Sequence, residues 1–327
     1  MTSSLTLATA LDADLSEEAA AAPGSGPTAS TPGTAATDWG HWPASLELEF
    51  SHGARGSRLT TNRHQGPLYV QKPFYPEGDD LAHAYILHPP GGLVSGDQLR
   101  IAVQVHEQAR ALLTTPGAGR VYRARPDRAW QYQSNHFNVA AGGSLEWLPL
   151  ETIVYPNART DLATRIDLEG DATFIGWEVT SLGLPACGAD LQDGEVRQRF
   201  ALYRDGTPLF IERFQLDATT RRLYAARVGM QGNPINGLFV AGPFSNDAQR
   251  VAIKSWCTEV NQNLMEAEVP EHESPFLAGV SLVDDCLVGR YLGGCSEQGR
   301  KLFTRWWHVV RPQLMQRPAC EPRIWLT

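Results

Sequence analysis

The sequence predicts a mainly β protein: a solenoid-like (β-helical) stack of short strands, with two α-helices confined to the C-terminal third. Three observations carry this reading. Short runs rich in β-branched and aromatic residues recur at roughly 10 to 15 residue intervals from Leu46 to Phe214, each bounded by Gly, Pro, Asp or Asn. Too little helical pattern lies between them for a parallel α/β sheet, which needs a crossover helix after most strands. Beyond residue 40, periodicity turns helical only from Asp247.

The elements follow in order. Residues 1–40 are rich in Ala, Ser, Thr, Pro and Gly, with a short helical pattern at Leu11–Ala22. Such a segment has too little apolar surface to offset its ordering entropy and is expected to stay mobile. We divide the chain into an acidic extension, residues 1–42, and a single domain, residues 43–327. Strands are predicted at Leu46–Phe50, Leu68–Lys72, Ala84–His88, Leu99–Val105, Ala111–Thr115 and Ala129–Val139. More follow at Ser144–Leu148, Thr164–Leu168, Thr173–Thr180, Val196–Tyr203 and Leu209–Phe214, and Pro275–Leu292 reads as a further pair. The first helix, Asp247–Glu266, carries a stripe of Val251, Ile253, Trp256, Val260 and Leu264. The second, Ser296–Leu314, carries Leu302, Phe303, Trp306, Trp307, Val309, Val310 and Leu314, and should end near Arg311 because Pro312 disfavours helical geometry in the residue before it.

Composition limits function. At 327 residues the chain can bury roughly three-quarters of its unfolded surface, so core size is no obstacle. The formal charge is −8, and residues 1–40 hold Asp12, Asp14, Glu17, Glu18 and Asp38 with no Lys or Arg, leaving −3 for the remainder. Nucleic-acid binders show clustered Lys and Arg, so neither part fits that class. No apolar run approaches the roughly 18 to 20 residues that cross a bilayer, and no basic, apolar leader opens the sequence. The expectation is a soluble, cytoplasmic protein. Five widely spaced cysteines without a C-x2-C pair point to reduced thiols and no structural zinc.

Absent motifs narrow the field further. The chain has no G-x-x-x-x-G-K-[ST], G-x-S-x-G, H-E-x-x-H or dinucleotide fingerprint. What stands out is the loop Gly91-Gly-Leu-Val-Ser-Gly-Asp97, which joins two β-type runs and delivers one carboxylate. Further carboxylates stand in or beside apolar runs at Glu146, Glu151, Glu178 and Glu212, where strand alternation can turn a side chain inward. A buried carboxylate must find a cation, a metal, a hydrogen bond or a proton. Structural ion pairs, for example Glu212 with Arg197 or Arg199, satisfy that need, as would paired acid and base groups of an all-β carbohydrate hydrolase or the frame of a non-catalytic β-solenoid binding module.

The wording of the sequence separates these readings. Gly66-Pro-Leu-Tyr-Val-Gln-Lys-Pro-Phe-Tyr-Pro-Glu-Gly78, His88-Pro-Pro-Gly-Gly-Leu-Val-Ser-Gly-Asp97, Leu145-Glu-Trp-Leu-Pro149, Glu151-Thr-Ile153 and Pro322-Arg-Ile-Trp-Leu-Thr327 together resemble the urease accessory protein family UreD, called UreH in some species. The resemblance runs from about Leu46 to Thr327. It implies a non-enzymatic scaffold that binds UreF directly and the GTPase UreG through it, contacts the urease apoprotein, and holds no tight cofactor while Ni²⁺ passes transiently. Positions matching the carboxylates of the family's proposed nickel tunnel are Asp97, Glu178 and Glu212. Trp306, Trp307, Arg323 and Trp325 are candidates for the partner interface, since large aromatic and Arg side chains are enriched at hot spots. Leu182-Gly-Leu184 departs from a frequent Leu-Gly-Arg of the family, with loss of the charge.

Overall fold

Apolar side chains at every second strand position build two sheets that face each other in the computed structural model, which describes residues 41–266 and 274–326. The expectations for residues 1–40, including the helix at Leu11–Ala22, lie outside the described residues. β1 (Trp42–Gly53) and β2 (Gly56–Gln65) form a hairpin, followed by β3 (Tyr69–Val70), β4 (Ala82–Leu87), β5 (Asp97–Val105), β6 (Arg110–Thr114) and β7 (Gly119–Val121). The chain continues through β8 (Gln131–Val139), β9 (Ser144–Trp147), β10 (Thr152–Val154), β11 (Arg159–Leu168) and β12 (Thr173–Leu182). Then come β13 (Glu195–Arg204), β14 (Thr207–Leu216), β15 (Ile235–Gly242), β16 (Phe276–Val283) and β17 (Cys286–Gly293). The helices are a single turn, α1 (Arg222–Ala225), and the two long helices α2 (Asp247–Glu266) and α3 (Ser296–Met315).

One sheet has seven strands in the order β14-β13-β11-β8-β5-β1-β2. The other has ten, along the path β16-β17-β15-β12-β9-β6-β4-β3, with β10 beside β12 and β7 beside β10. Between β5 and β13 the chain alternates between the sheets, so successive strands within each sheet run parallel. Hairpins at the ends add antiparallel pairs, and both sheets are mixed. The prediction of a mainly β chain with two long late helices agrees with this, but it omits β2, β15 and the three-residue strands β7 and β10. β2 is polar, because it is the outermost strand and has no apolar alternation to read. β15 is the opposite, buried at nearly every position, so its apolar run shows no alternation either.

Two cores result. Leu46, Ile101, Phe137, Ile166, Phe174 and Leu202 fill the space between the sheets. Ile175, Trp177, Phe239, Phe303, Trp306 and Trp307 fill the space between the ten-stranded sheet and the long helices. α3 lies close to the sheet because β17 offers no side chain at Gly289, where an added Cβ would come within 2.4 Å of the Trp306 ring. Trp306 and Trp307 are therefore core residues, 3% and 0% exposed, and not the surface aromatics proposed for a partner. Trp325 folds back onto the same cluster, with ring centroids 5.8 Å from Trp177 and 6.1 Å from Trp307, and its indole N–H donates to Thr114 Oγ1 at 2.9 Å.

Two helix expectations need correction. Val251 is exposed while Ile253 is buried, since positions two apart lie about 200° around a helix and cannot share the inner face. α3 does not end at Arg311 but runs through Pro312 to Met315. Pro312 is exposed, and the burial of Val310, Arg311 and Leu314 around it outweighs the local penalty.

Arg311 explains why that last turn is held. Its guanidinium is fully buried and reaches Glu146 of β9 through Nη2 (2.8 Å) and Nε (3.0 Å), and Glu77 of the β3 to β4 loop through Nη1 (2.7 Å) and Nη2 (2.8 Å). It also donates to the Pro318 carbonyl. Trp307 Nε1–H donates to Glu146 Oε2 at 2.6 Å, and His83 Nε2 lies 2.8 Å from Glu77 Oε1. Burial would raise the Glu77 pKa, but the hydrogen bonds and charges of His83 and Arg311 outweigh it and hold the carboxyl at about 2.

Removing Arg311 strands two buried carboxylates, so Arg311→Met should cost about 3–5 kcal/mol, read as a lower urea midpoint. Because Glu77 titrates lower in the folded chain than the usual 4.5, its stabilisation is complete above that pH and is lost as pH falls toward 2. Glu77→Gln should remove that part of the acid slope; an unchanged slope would show that the clasp does not set it.

Candidate functional site

Strand alternation in β12 sends Trp177 and Val179 toward the helices and turns Glu178 into the space between the sheets. Pairing register then places Glu178 beside Leu238 of β15, and Leu238 beside Arg290 of β17. On the facing sheet the matching row runs from Asn135 of β8 through Thr164 of β11 and Phe200 of β13 to Glu212 of β14. Leu238 and Phe200 thus stand as apolar residues between the inner and the outer polar groups of the two rows.

Hydrogen bonds tie the inner polar groups into one file. Thr164 Oγ1–H donates to Glu178 Oε1 at 2.5 Å and Gln198 Nε2 donates to Glu178 Oε2 at 2.8 Å. Asn135 Nδ2 donates to Thr164 Oγ1 at 3.0 Å, and Thr180 Oγ1 donates to Gln198 Oε1 at 3.3 Å. These groups line a cavity of about 240 Å³, which extends to Trp147 and to His88 near the glycine loop. The indole N–H of Trp147, itself buried, finds no acceptor in the protein, which suits a cavity that takes up water.

Glu178 and Gln198 also line a second space of about 10 Å³, together with Phe200, Glu212, Phe214 and Leu238. Room for about one water remains there. Glu212 and Asn236 line that neck and also a wider outer space of about 370 Å³ bordered by β14, β16 and β17. Three neighbouring spaces therefore share Glu178 and then Glu212 as their common walls.

Burial pushes the Glu178 carboxyl above the ordinary carboxylate range, and the nearby Glu212 charge adds to this; the Thr164 and Gln198 hydrogen bonds work against it. Glu212 pairs with Arg290 across the two sheets, not with Arg197 or Arg199 as considered from the sequence.

Asp97 differs from the other two. Gly96, at φ 92°, makes the turn that starts β5, and Asp97 Oδ2 accepts the Val94 N–H at 2.8 Å, so the side chain closes its own loop. It does not border the cavity; His88 does, with the Asp97 charge close enough to support its protonation. Burial raises the Asp97 pKa, opposed by the Val94 N–H, His88 and Arg125. Burial lowers that of His88.

The other sequence candidates resolve as structural groups. Glu146 belongs to the Arg311 clasp on the far face of the ten-stranded sheet, and Glu151 lies 3.8 Å from Arg300. All five cysteines are free; burial pushes the Cys286 thiol up to about 12 and that of Cys257 to about 11, so neither supplies a thiolate at neutral pH. Among the described residues no three His, Cys, Asp or Glu side chains converge as a metal-ligand set. The sequence reading passed over Asn135, Thr164, Gln198 and Arg290. Their signal was a polar residue at an inward position of an otherwise apolar strand face, as with Thr164 between Leu162 and Ile166.

A family model for the UreD urease accessory protein matches residues 43–326. The chain belongs to the UreD urease accessory protein family. It is 48% identical over 286 residues to a urease accessory protein UreD of a Marinomonas species, covering 88% of this chain and 90% of that protein. It is 40% identical over 286 residues to urease accessory protein UreD 2 of Brucella anthropi, covering 88% and 98%. A urease accessory protein UreD of Alcanivorax borkumensis is 39% identical over 293 residues, covering 88% and 92%. Of the carboxylates that the family resemblance singled out, Glu178 and Glu212 border the spaces between the sheets, and Asp97 does not.

The Glu178 environment predicts a pH signature. A carboxyl whose folded pKa is raised opposes folding when ionised, and that cost fades as pH falls toward the usual 4.5. Glu178→Gln should be at least as stable as the wild type at pH 7, with the gap closing on acidification. Denaturant midpoints measured across that range check this, and a variant less stable at pH 7 would contradict it.

Proposed function

We propose that this protein serves urease maturation as a non-enzymatic scaffold that lets Ni²⁺ pass between its two sheets to the urease apoprotein. It acts in the cytoplasm, binds UreF directly and the GTPase UreG through it, and holds nickel only in transit. Residues 43–327 work as one domain, and the alternation of parallel strands between sheets favours a solenoid-like reading of its body.

The observation that carries the proposal is the shared wall: Glu178 stands between the large cavity and the neck, and Glu212 between the neck and the outer space. The chemistry suits passage. Nickel binds imidazole and mixed N,O sites tightly, whereas single carboxylates separated by apolar side chains attract the ion without chelating it. Asp97 supports this path indirectly, through His88 and the loop it braces.

Family membership supports the setting, because the relatives carry the name urease accessory protein. For the partner surface, Trp306 and Trp307 support the helix from inside, which leaves the exposed Arg323 and the partly buried Trp325 of the C-terminal turn as candidates.

Removing one buried carboxylate from a cation's path should slow loading on the order of tenfold. We expect Glu178→Gln and Glu212→Gln to lower the nickel content of urease matured in cells, with the accessory complex at normal abundance. Full nickel content in both variants would end the passage reading. Arg323→Glu should reduce co-purification with UreF without shifting the melting temperature; unchanged recovery would remove that surface.

A further inference from the structure

Arg290 is a charged side chain at the outer mouth, which Arg213 also borders, that passage of a cation does not call for. A fixed positive charge beside a cation's path repels what the path should carry. Its guanidinium nevertheless pairs with Glu212, the carboxylate common to the neck and the outer space.

The position of the pair gives it meaning. Glu212 lies on β14, the last strand of the seven-stranded sheet, and Arg290 on β17, one strand from the end of the ten-stranded path. The ion pair therefore joins the sheets across the outermost part of the space between them. Inside it lies the neck of Phe200, Phe214 and Leu238, and outside it the space of about 370 Å³ that Arg290 itself borders. Arg290 keeps 54% of its side chain exposed, so it can swing into solvent when it lets go.

A guanidinium is always charged, offers only donors and cannot ligate a metal. Resting on this passage reading, we propose that Arg290 is a tethered competitor cation: it occupies Glu212 while the passage is idle, and a divalent ion crosses the mouth by exchanging with it. The exchange also sorts ions. A monovalent ion offers Glu212 no more charge than Arg290 already supplies, whereas a divalent ion offers twice as much. Arg290 thus determines specificity and sets the resting state, and its partner chemistry is a hard or borderline divalent cation.

Isothermal titration of the full chain with Ni²⁺ at neutral pH, in a potassium buffer, tests this directly. Arg290→Met should bind Ni²⁺ roughly fivefold tighter than the wild type, the factor that corresponds to losing one partly exposed ion pair. The gain should vanish when Glu212→Gln is added, and Arg290→Lys, which keeps a competing charge, should stay near the wild type. No gain in Arg290→Met, or a gain that survives Glu212→Gln, overturns the proposal; equal melting temperatures establish that the variants are folded. The titration reads exchange at Glu212, whereas the passage reading fails on normal urease loading by the carboxylate variants, so the two failures are distinguishable.

Discussion

The space between the sheets depends on pairing register. Glu178, Leu238 and Arg290 form one inward row only because β12, β15 and β17 pair as they do, and Asn135, Thr164, Phe200 and Glu212 face them through the pairing of β8, β11, β13 and β14. A slip of one residue in β12 would send Glu178 to the helix side and put Trp177 between the sheets. Bulky inward residues along the same strands, Phe137, Phe174 and Phe200, specify that register by packing. The polar file is therefore positioned by the apolar core around it.

Burying polar groups this way costs free energy, and the network limits the cost by giving both Glu178 oxygens a donor. The ten-stranded sheet must also be held from behind. The clasp of Arg311 with Glu146 and Glu77 does this, because it joins α3, β9 and the loop before β4 at one buried point. Aromatic packing of Trp177, Trp307 and Trp325 on the same side seats the C-terminal turn. A rigid helix layer keeps the inner face of that sheet in place, and with it the separation across which Glu212 meets Arg290.

Much of this was legible in the sequence, and the limits have physical causes. Alternating runs such as Leu99–Val105 announced their strands, and the apolar stripe of α3 announced its helix. Strands without alternation were missed: β2 because it is mostly polar, β15 because it is mostly apolar, and β7 and β10 because three residues are too few to show a period. Glu178 and Glu212 stood out as charges in apolar runs. Gln198 and Thr164 did not, since a neutral polar residue in a strand reads the same whether it faces water or a cavity. Asp97 was legible as a loop carboxylate, but which neighbour it serves depends on β1, β5 and His88 coming together, and no local pattern records that. Arg311 and Glu146, 165 residues apart, could be paired only in three dimensions. Trp306 and Trp307 show the converse error, since a wide aromatic stripe looks alike whether it meets its own sheet or another protein.

The central claim is that a divalent cation can occupy the space between the sheets at Glu178 and Glu212. Anomalous diffraction at the nickel absorption edge, from crystals of the full chain equilibrated with a nickel salt, tests it most directly. A nickel peak is expected between the two carboxylates, lost in Glu178→Gln with Glu212→Gln. Nickel found at surface histidines alone, with the inter-sheet space free of anomalous signal, would contradict it.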